Sequence, residues 1–305
     1  MGDDVKRFTM SEKGGWICRL FLGLLFVLSA FLKFRSLESF EIYLFSFDVV
    51  NLTAASYLAR FLLAFEFAIG LLLISTLWKR QMEVATFVSL LFFSIFLIYL
   101  LLKGEEGNCH CMGETFEFSP AESLLKNLLY LLLLFFSTKS LVWNVPRKNL
   151  WMAIIIAVSI VTPFVKLPVG LRPMKPVGFN QMEFQKFLSK EDDLRSLFER
   201  ESSVICIFSV KCSHCKTAMK KMEVVLQRHP DAKVHWVVWG DKEGLSGFLK
   251  ETEVSVRPHV FLSPDQLLPI TEYNVPLILF VKNGEVIEKM SNSFFDDERA
   301  DECLK

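Results

Sequence analysis

The run Val204-Ile205-Cys206-Ile207-Phe208-Ser209-Val210-Lys211-Cys212-Ser213-His214-Cys215 decides how the second half of this chain is read. Its first five residues are apolar and rich in β-branched side chains, the pattern of a buried strand. After it, over residues 216–228, Ala218, Met219, Met222, Val225 and Leu226 recur at helical spacing. The two cysteines therefore open a helix directly after a strand. At a helix N-terminus the free N–H groups and the dipole favour a thiolate, which is the reactive form of cysteine. Lys211 and a protonated His214 act in the same direction. Cys212 is the expected exposed nucleophile and Cys215 the expected resolving thiol. A lone CxxC also reads as half a zinc site, but no second CxxC or histidine pair follows at zinc-site spacing.

Working outward, residues 234–238 read as a second strand and residues 242–250 as a helix. Then comes Val275-Pro276-Leu277-Ile278-Leu279-Phe280-Val281-Lys282-Asn283-Gly284-Glu285-Val286. Asn-Gly between two apolar runs predicts a type I′ hairpin. Pro276 opens a strand without a donor for the ladder, and is a candidate cis-proline facing the CxxC pair. A short helix is expected within residues 294–304, where Cys303 reads as a spare thiol.

The first half has a different character. The chain of 305 residues carries 34 Lys and Arg against 34 Asp and Glu, so its net charge is zero. That balance argues against a polyanion-binding surface. The charges are unevenly spread, with 27 in residues 1–165 and 41 in residues 166–305. Five apolar stretches, at 16–34, 54–78, 84–102, 123–143 and 149–165, approach or reach the roughly 20 residues a membrane-crossing helix needs. A soluble protein with five such core helices in 165 residues is the weaker reading. A cleaved signal peptide is not expected at the first stretch, which lacks a small-residue cleavage site and is followed by four more. Arg19, Lys33, Lys126 and Lys139 fall near the ends of spans, and Arg60 near an outer end, where long cations are expected to snorkel. Cys18, in the first span, reads as packing.

Loop charges predict orientation. Lys6, Arg7 and Lys13, then Lys79 and Arg80, then Lys139, Arg147 and Lys148 mark the cytoplasmic side. Glu105, Glu106, Glu114, Glu117 and Glu122 mark the outer side. The expected organisation is a cytoplasmic tail at 1–15, a four-helix membrane domain at 16–145, a fifth span at 146–166, a proline-containing linker at 167–180 with Pro168, Pro173 and Pro176, and an extracytoplasmic α/β domain at 181–305. The protein is thus expected to be multi-pass in the plasma (inner) membrane. Glu66 falls near mid-membrane, ahead of Gly70. An intramembrane carboxyl is a functional-site hypothesis, against which stands a protonated Glu bonded to a neighbouring helix.

Seven cysteines are present. Besides Cys212 and Cys215, a second close pair is Cys109-His110-Cys111, in the acidic outer loop. Both pairs fall on the oxidising side, where disulfides persist. Residues two apart come within or near disulfide reach, about 5.5–7 Å between Cα atoms. So small a ring suits exchange better than a staple. Two other readings stay open. The thiols are free, or Cys109, His110, Cys111 and Met112 form a soft ligand set for Cu(I) or zinc.

Residues 181–305 resemble the thioredoxin fold, on the strand, CxxC, helix, strand, helix, Val275-Pro276 and the Lys282-Asn283-Gly284-Glu285-Val286 hairpin. The resemblance implies that Cys212 attacks, Cys215 resolves, and a cis Pro276 holds an extended peptide beside them. Thioredoxins carry Trp before the first cysteine and Gly-Pro between the two, where this chain has Lys211 and Ser213-His214. A histidine before the second cysteine resembles disulfide isomerases and periplasmic oxidants, and implies a less reducing potential than thioredoxin's. Cys206 stands where thioredoxins have a buried Asp that assists proton transfer from the second cysteine.

Residues 19–143 resemble the DoxX-like membrane family, in particular MauE, the methylamine utilisation protein. That family has a Cys-Gly-Cys-Phe-Gly motif in the outer loop between helices three and four, then Ser-Leu-Leu-Lys-Asn. Here the motif is Cys109-His110-Cys111-Met112-Gly113, then Ser123-Leu124-Leu125-Lys126-Asn127. The resemblance implies a membrane partner of a thioredoxin-like protein, MauD, both serving maturation of a disulfide-rich dehydrogenase subunit. This chain resembles the two parts fused.

The expected function is a membrane-anchored thiol–disulfide oxidoreductase. Cys212 and Cys215 exchange with extracytoplasmic client thiols, and Cys109 and Cys111 exchange with them in turn. Lys126 is a candidate stabiliser of a loop thiolate, against simple snorkelling. The expected partners are client proteins and the bilayer, with no nucleic acid. No cofactor is read from the sequence, and a quinone, a soluble carrier or another membrane protein are open as electron acceptors. The competing classes are a metal-handling membrane protein and a non-catalytic scaffold.

Overall fold

A computed structural model of the chain describes residues 10–104, 107–114, 116, 118–138, 146–172, 177–189, 195, 198 and 202–305. Lys6, Arg7, Glu105, Glu106, Glu117, Lys139, Pro173 and Pro176 lie outside the described residues. The chain divides into two compact units, residues 1–44 with 56–168 and residues 45–55 with 169–305.

The helical half comprises α1 (Met10–Arg35), α2 (Leu37–Phe45), α3 (Leu52–Ile74), α4 (Lys79–Leu102), α5 (Pro120–Ser137) and α6 (Lys148–Phe164). Four of these, α1, α3, α4 and α5, are long and apolar enough to cross a membrane. The apolar α6 has 17 residues and is shorter than those four. The short helix α2 is not announced by hydropathy. α5 starts at Pro120 rather than 123, because Ser119 and Glu122 form a reciprocal capping box with Pro120 in the first turn.

This half is turned inside out relative to a water-soluble protein. Phe92 is 73% exposed while Arg19 and Arg60 are 0% exposed. Apolar side chains outside and polar groups inside are what a hydrocarbon surround selects. The expectation that Arg19, Lys33 and Arg60 snorkel is therefore corrected. Arg19 donates from Nε to the Leu73 carbonyl at 2.9 Å and pairs with Glu83 at 3.1 Å. Lys33 is buried and pairs with Glu66. Arg60 uses its whole fork: Nη1 pairs with buried Glu41 at 2.5 Å, while Nε and Nη2 donate to the carbonyls of Lys166 and Leu167 at 2.8–3.0 Å. An internal partner meets each cation without drawing a charge toward lipid, and only Nη2 of Arg19 stays buried without a hydrogen-bond partner among these three side chains.

Gly23 and Gly70 set the approach of α1 to α3. A Cβ at Gly70 would stand 2.9 Å from the Gly23 carbonyl oxygen, and one at Gly23 would stand 2.8 Å from the Gly70 carbonyl oxygen. Small residues let membrane helices come this close. Further along the same crossing, Ser29 meets Glu66.

The α/β half comprises α7 (Gln181–Leu188), β1 (Ser203–Ser209), α8 (Ser213–Arg228), β2 (Val234–Trp239), α9 (Lys242–Thr252), β3 (His259–Leu262), α10 (Pro264–Ile270), β4 (Leu277–Lys282), β5 (Glu285–Met290) and α11 (Asp297–Leu304). The sheet order is β3-β2-β1-β4-β5. β1, β2 and β3 run parallel, and β4 and β5 are antiparallel to their neighbours. β1 is central, and all seven of its residues are buried. Cys206 faces Trp236 on one side and Ile278 on the other. One face of the sheet packs Ile205, Ile207, Leu277 and Leu279 against Phe184 and Phe187 of α7 and Leu267 of α10. On the other face, Phe208 stacks on Phe248 of α9 at 4.9 Å. Each fully buried Ile, Leu or Phe in these layers contributes roughly 1.5–3 kcal/mol.

Three parallel strands, a CxxC helix leaving the central one, and an antiparallel hairpin beyond it define a thioredoxin fold. Asn283 and Gly284 both have positive φ, 52° and 81°, the geometry of a type I′ turn. The segment between α9 and Pro276 adds β3 and α10. β3 has four residues between Pro258 and Ser263-Pro264 and supplies the sheet edge.

Candidate functional site

The first cysteine pair sits where β1 hands over to α8. Ser209 ends the strand, and the Cys212 N–H donates back to its carbonyl at 3.2 Å. Cys212 is the N-cap of α8 in extended conformation, and its carbonyl accepts from the N–H groups of Cys215 and Lys216. This turn leaves Cys212 half-buried and Cys215 fully buried one turn below. The Ser209 N–H donates to Cys215 Sγ at 3.5 Å. Cys212 Sγ lies 4.0 Å from the carbonyl of Val275, and Val275–Pro276 is a cis peptide. The extended residue before Pro276 is therefore at the mouth of the pair.

The electrostatics split the two thiols. In the reduced protein the Cys215 S–H donates to Cys212, which brings the Cys212 pKa down to about 6. Partial burial opposes the shift, while the N–H groups of Cys215 and His214 and the charge of His214 support it. Cys215 is pushed well above the ordinary range, first by donating to Cys212 and then by burial. Cys206, fully buried in β1, is pushed up to about 12 by burial, so it cannot act as a base near neutral pH. Lys211 flanks the pair with no described contact to either sulfur.

Sequence reasoning missed the support behind His214. Its Nδ1 lies 3.4 Å from Asn292 Nδ2, and Asn292 Oδ1 accepts from the buried Lys221 ammonium at 2.9 Å. Lys221 lies on the apolar side of α8, where hydropathy alone expects no charge.

The second pair lies between α4 and α5. Cys109 and Cys111 form a disulfide with Cα atoms 5.5 Å apart, and are 3% and 2% exposed. The loop is pinned on three sides. The Cys109 N–H donates to the Phe118 carbonyl at 3.0 Å. The Ser29 hydroxyl lies 2.9 Å from the Cys111 carbonyl. Gly113, at φ +71°, rests against Leu32 and Ser36, where a Cβ would stand 2.9 Å from the Leu32 carbonyl oxygen. Ser123, buried in the first turn of α5, places its hydroxyl 2.9 Å from Cys109 Sγ and 2.7 Å from Cys111 Sγ.

His110 does not join the sulfurs as a ligand. Its Nδ1 bonds the Asn108 carbonyl, and its ring stacks on Tyr43 at 4.7 Å. With both sulfurs in a disulfide, the Cys109, His110, Cys111 and Met112 ligand set is not assembled. Among the described residues, no group of three or more His, Cys, Asp or Glu could hold a metal ion. Lys126 lies over the rings of Tyr130 at 5.7 Å and Phe118 at 6.0 Å, rather than reaching outward. Glu66 accepts from Lys33 at 2.6 Å and lies 2.7 Å from Ser29 Oγ. Ser29, whose one proton serves either acceptor, thus stands between Glu66 and the Cys111 carbonyl.

A membrane-embedded helical domain bearing a Cys-x-Cys loop, followed by a thioredoxin-fold domain bearing CxxC, is the class these features define. Residues 11–140 match the family Methylamine utilisation protein MauE. Protein TlpB of Flavobacterium psychrophilum is 25% identical over 165 residues, covering 50% of this chain and 44% of that protein. The chain thus spans less than half the length of that relative. Among solved structures, dsbF of M. tuberculosis in mixed oxidised and reduced forms aligns with 36% of this chain and 82% of its own, at 15% identity and TM-score 0.31. StoA from Bacillus subtilis aligns with 35% and 84%, at 17% identity and TM-score 0.29. The thioredoxin domain of a thiol-disulfide oxidoreductase from Bacteroides vulgatus aligns with 37% and 84%, at 15% identity and TM-score 0.31. At such scores these likenesses add nothing to the strand order above, which carries the fold.

Proposed function

We propose that this chain is a membrane-anchored thiol–disulfide oxidoreductase. The observation that carries the reading is the divided pair at the head of α8. Cys212 is accessible with a pKa near 6, and Cys215 is a buried, protonated thiol in hydrogen-bond contact with it. Such a pair attacks a client disulfide through the Cys212 thiolate and releases the client through Cys215. Exchange moves electrons through sulfur alone and needs no resident cofactor.

In this reading Cys109 and Cys111 form the second station. A client dithiol reduces the Cys212–Cys215 disulfide, or the reverse, and Cys212 exchanges with the loop pair through a mixed disulfide. Both loop sulfurs are buried, so exchange requires the turn around Cys109 and Cys111 to open. The fusion raises the concentration of one pair at the other, to the order of mM for a flexible tether and with a directional bias for a proline-containing one. The loop charges support a reading in which both pairs lie on the extracytoplasmic face of the plasma membrane, with α6 as a fifth span carrying the thioredoxin domain there. Clients are extracytoplasmic proteins with exchangeable thiols.

Trapping tests this. A Cys215→Ser variant, purified under alkylating quench, is expected to accumulate a mixed disulfide through Cys212 to a client or to Cys109 or Cys111. A trap that yields neither adduct sinks the exchange reading. Client adducts without a loop adduct sink the relay alone.

A further inference from the structure

We propose that the Ser123 hydroxyl is a catalytic hydrogen-bond donor to the Cys109–Cys111 pair, stabilising the thiolate released when that disulfide opens. This rests on the reading of the loop pair as an exchange site.

Ser123 Oγ stands 2.9 Å from one sulfur and 2.7 Å from the other. It therefore serves whichever sulfur leaves. Its own N–H is committed to the Ser119 carbonyl at 3.0 Å, within the first turn of α5. The capping box at Ser119 and Glu122 fixes that turn, so the hydroxyl is held in place before any reaction. The partial positive charge of the α5 N-terminus lies on the same side of the sulfurs. The loop is pinned opposite by the Ser29 contact to the Cys111 carbonyl.

The step balances within sulfur chemistry. An attacking thiolate forms a bond to one loop sulfur, the S–S bond breaks, and its electron pair remains on the other sulfur as a thiolate. That thiolate emerges at a site whose cysteines are 3% and 2% exposed, where water offers little solvation and an unpaired charge is costly. A fixed O–H donor supplies the missing hydrogen bond as charge develops. The second thiol of the attacking dithiol then displaces the remaining loop sulfur from the mixed disulfide, and the two loop thiolates take up the two protons the dithiol gave up. The net change is one dithiol oxidised and one disulfide reduced. The placement also accounts for two residues of the Ser123-Leu124-Leu125-Lys126-Asn127 run. Ser123 faces the sulfurs, and Asn127, one turn on, bonds Ser94 of α4 at 3.1 Å.

The test uses the full chain in detergent with Cys212→Ser and Cys215→Ser, so that the loop pair reacts alone with dithiothreitol. Opening is followed by the mass shift on alkylation, over a range of pH. Ser123→Ala is expected to slow opening about tenfold, the loss of one hydrogen bond to a charged group. It is also expected to raise the pH at which the freed thiols alkylate at half-maximal rate, which a merely structural role would not do. Ser123→Thr keeps the hydroxyl and is expected to restore both. If Ser123→Ala opens at the parent rate, or Ser123→Thr is as slow as Ser123→Ala, the assignment of Ser123 is overturned while the exchange site stands. If the parent pair is inert to dithiothreitol, the exchange reading and this inference fall together.

Discussion

Lys33 Nζ lies 2.6 Å from Glu66 Oε2 inside the helical unit, and the other Glu66 oxygen lies 2.7 Å from Ser29 Oγ. Ser29 sits one turn before Lys33 on α1 and 2.9 Å from the Cys111 carbonyl. The intramembrane carboxyl is thus half of an ion pair, and the single Ser29 hydroxyl proton beside it is within reach of either Glu66 or the Cys111 carbonyl of the disulfide loop.

Removing one member leaves the other charged and unpaired in a dry setting. Glu66→Ala is expected to lower stability by about 3–5 kcal/mol, as breaking a buried pair does, whereas a Lys33→Met, Glu66→Met double variant is expected to recover most of the loss. Thermal unfolding in detergent measures both. Equal melting of the single and double variants would show that the pair does not carry the charge balance.

The Arg60 fork makes a sharper case. It answers the Glu41 carboxylate and the carbonyls of Lys166 and Leu167 together. Lysine has one donor head and cannot span three acceptors. Arg60→Lys is therefore expected to behave nearly as badly as Arg60→Ala, each destabilising by about 3–5 kcal/mol, with protease cleavage near residue 167 rising in both. Full rescue by lysine would sink this account.

These two clusters show where the sequence is legible. The strand, CxxC helix and Asn283-Gly284 hairpin are local patterns, each contained in about ten residues, and they reappear in place. The apolar spans are equally local, although reading the α5 start needs Ser119-Pro120-Ala121-Glu122 as a capping box rather than the hydropathy edge. Arg60 is different. Apart from Ser56 one turn before it, its acceptors lie 19, 106 and 107 positions away, so a one-dimensional view finds a cation near a span end without the partners that bury it. Ser123 is illegible as a site residue for the same reason, since its sulfur contacts cross a loop. β3 escapes because His259–Leu262 is short, lies between prolines and is mostly exposed or half-exposed, without the alternation or run that marks a strand.

Glycine positions test the helix packing without touching charge. Gly23→Ala and Gly70→Ala each place a methyl against backbone at 2.8–2.9 Å. Each is expected to force α1 and α3 apart at a cost of about 1–3 kcal/mol. Gly14 on the same helix meets nothing within 4 Å, so Gly14→Ala is expected to be neutral or stabilising by up to about 1 kcal/mol. Unfolding midpoints of the three variants decide it. A rise in midpoint for Gly23→Ala or Gly70→Ala like that expected for Gly14→Ala would show that helix propensity, not close approach, governs those positions.

The pH dependence of Cys212 follows from its neighbours. With a pKa near 6 in the reduced protein, set chiefly by the Cys215 S–H, alkylation of Cys212 by iodoacetamide is expected to be half-maximal near pH 6. An ordinary cysteine would be half-maximal near pH 8.5. Cys215→Ala removes the largest contribution and is expected to move the midpoint up. Cys215→Ser keeps an O–H donor and moves it less, and His214→Ala gives a smaller rise than Cys215→Ala. The same shift links to stability. Between the folded pKa near 6 and the unfolded value of about 8.5, the unfolded chain binds the extra proton, so stability rises with pH in that window. The contribution is fully present above pH 8.5 and is lost as pH falls through 6. Urea unfolding of the reduced protein against Cys212→Ser at pH 5.5 and 8.5 reads it directly. A difference that shrinks toward high pH, or an alkylation midpoint near 8.5, would mean that Cys215 does not donate to Cys212.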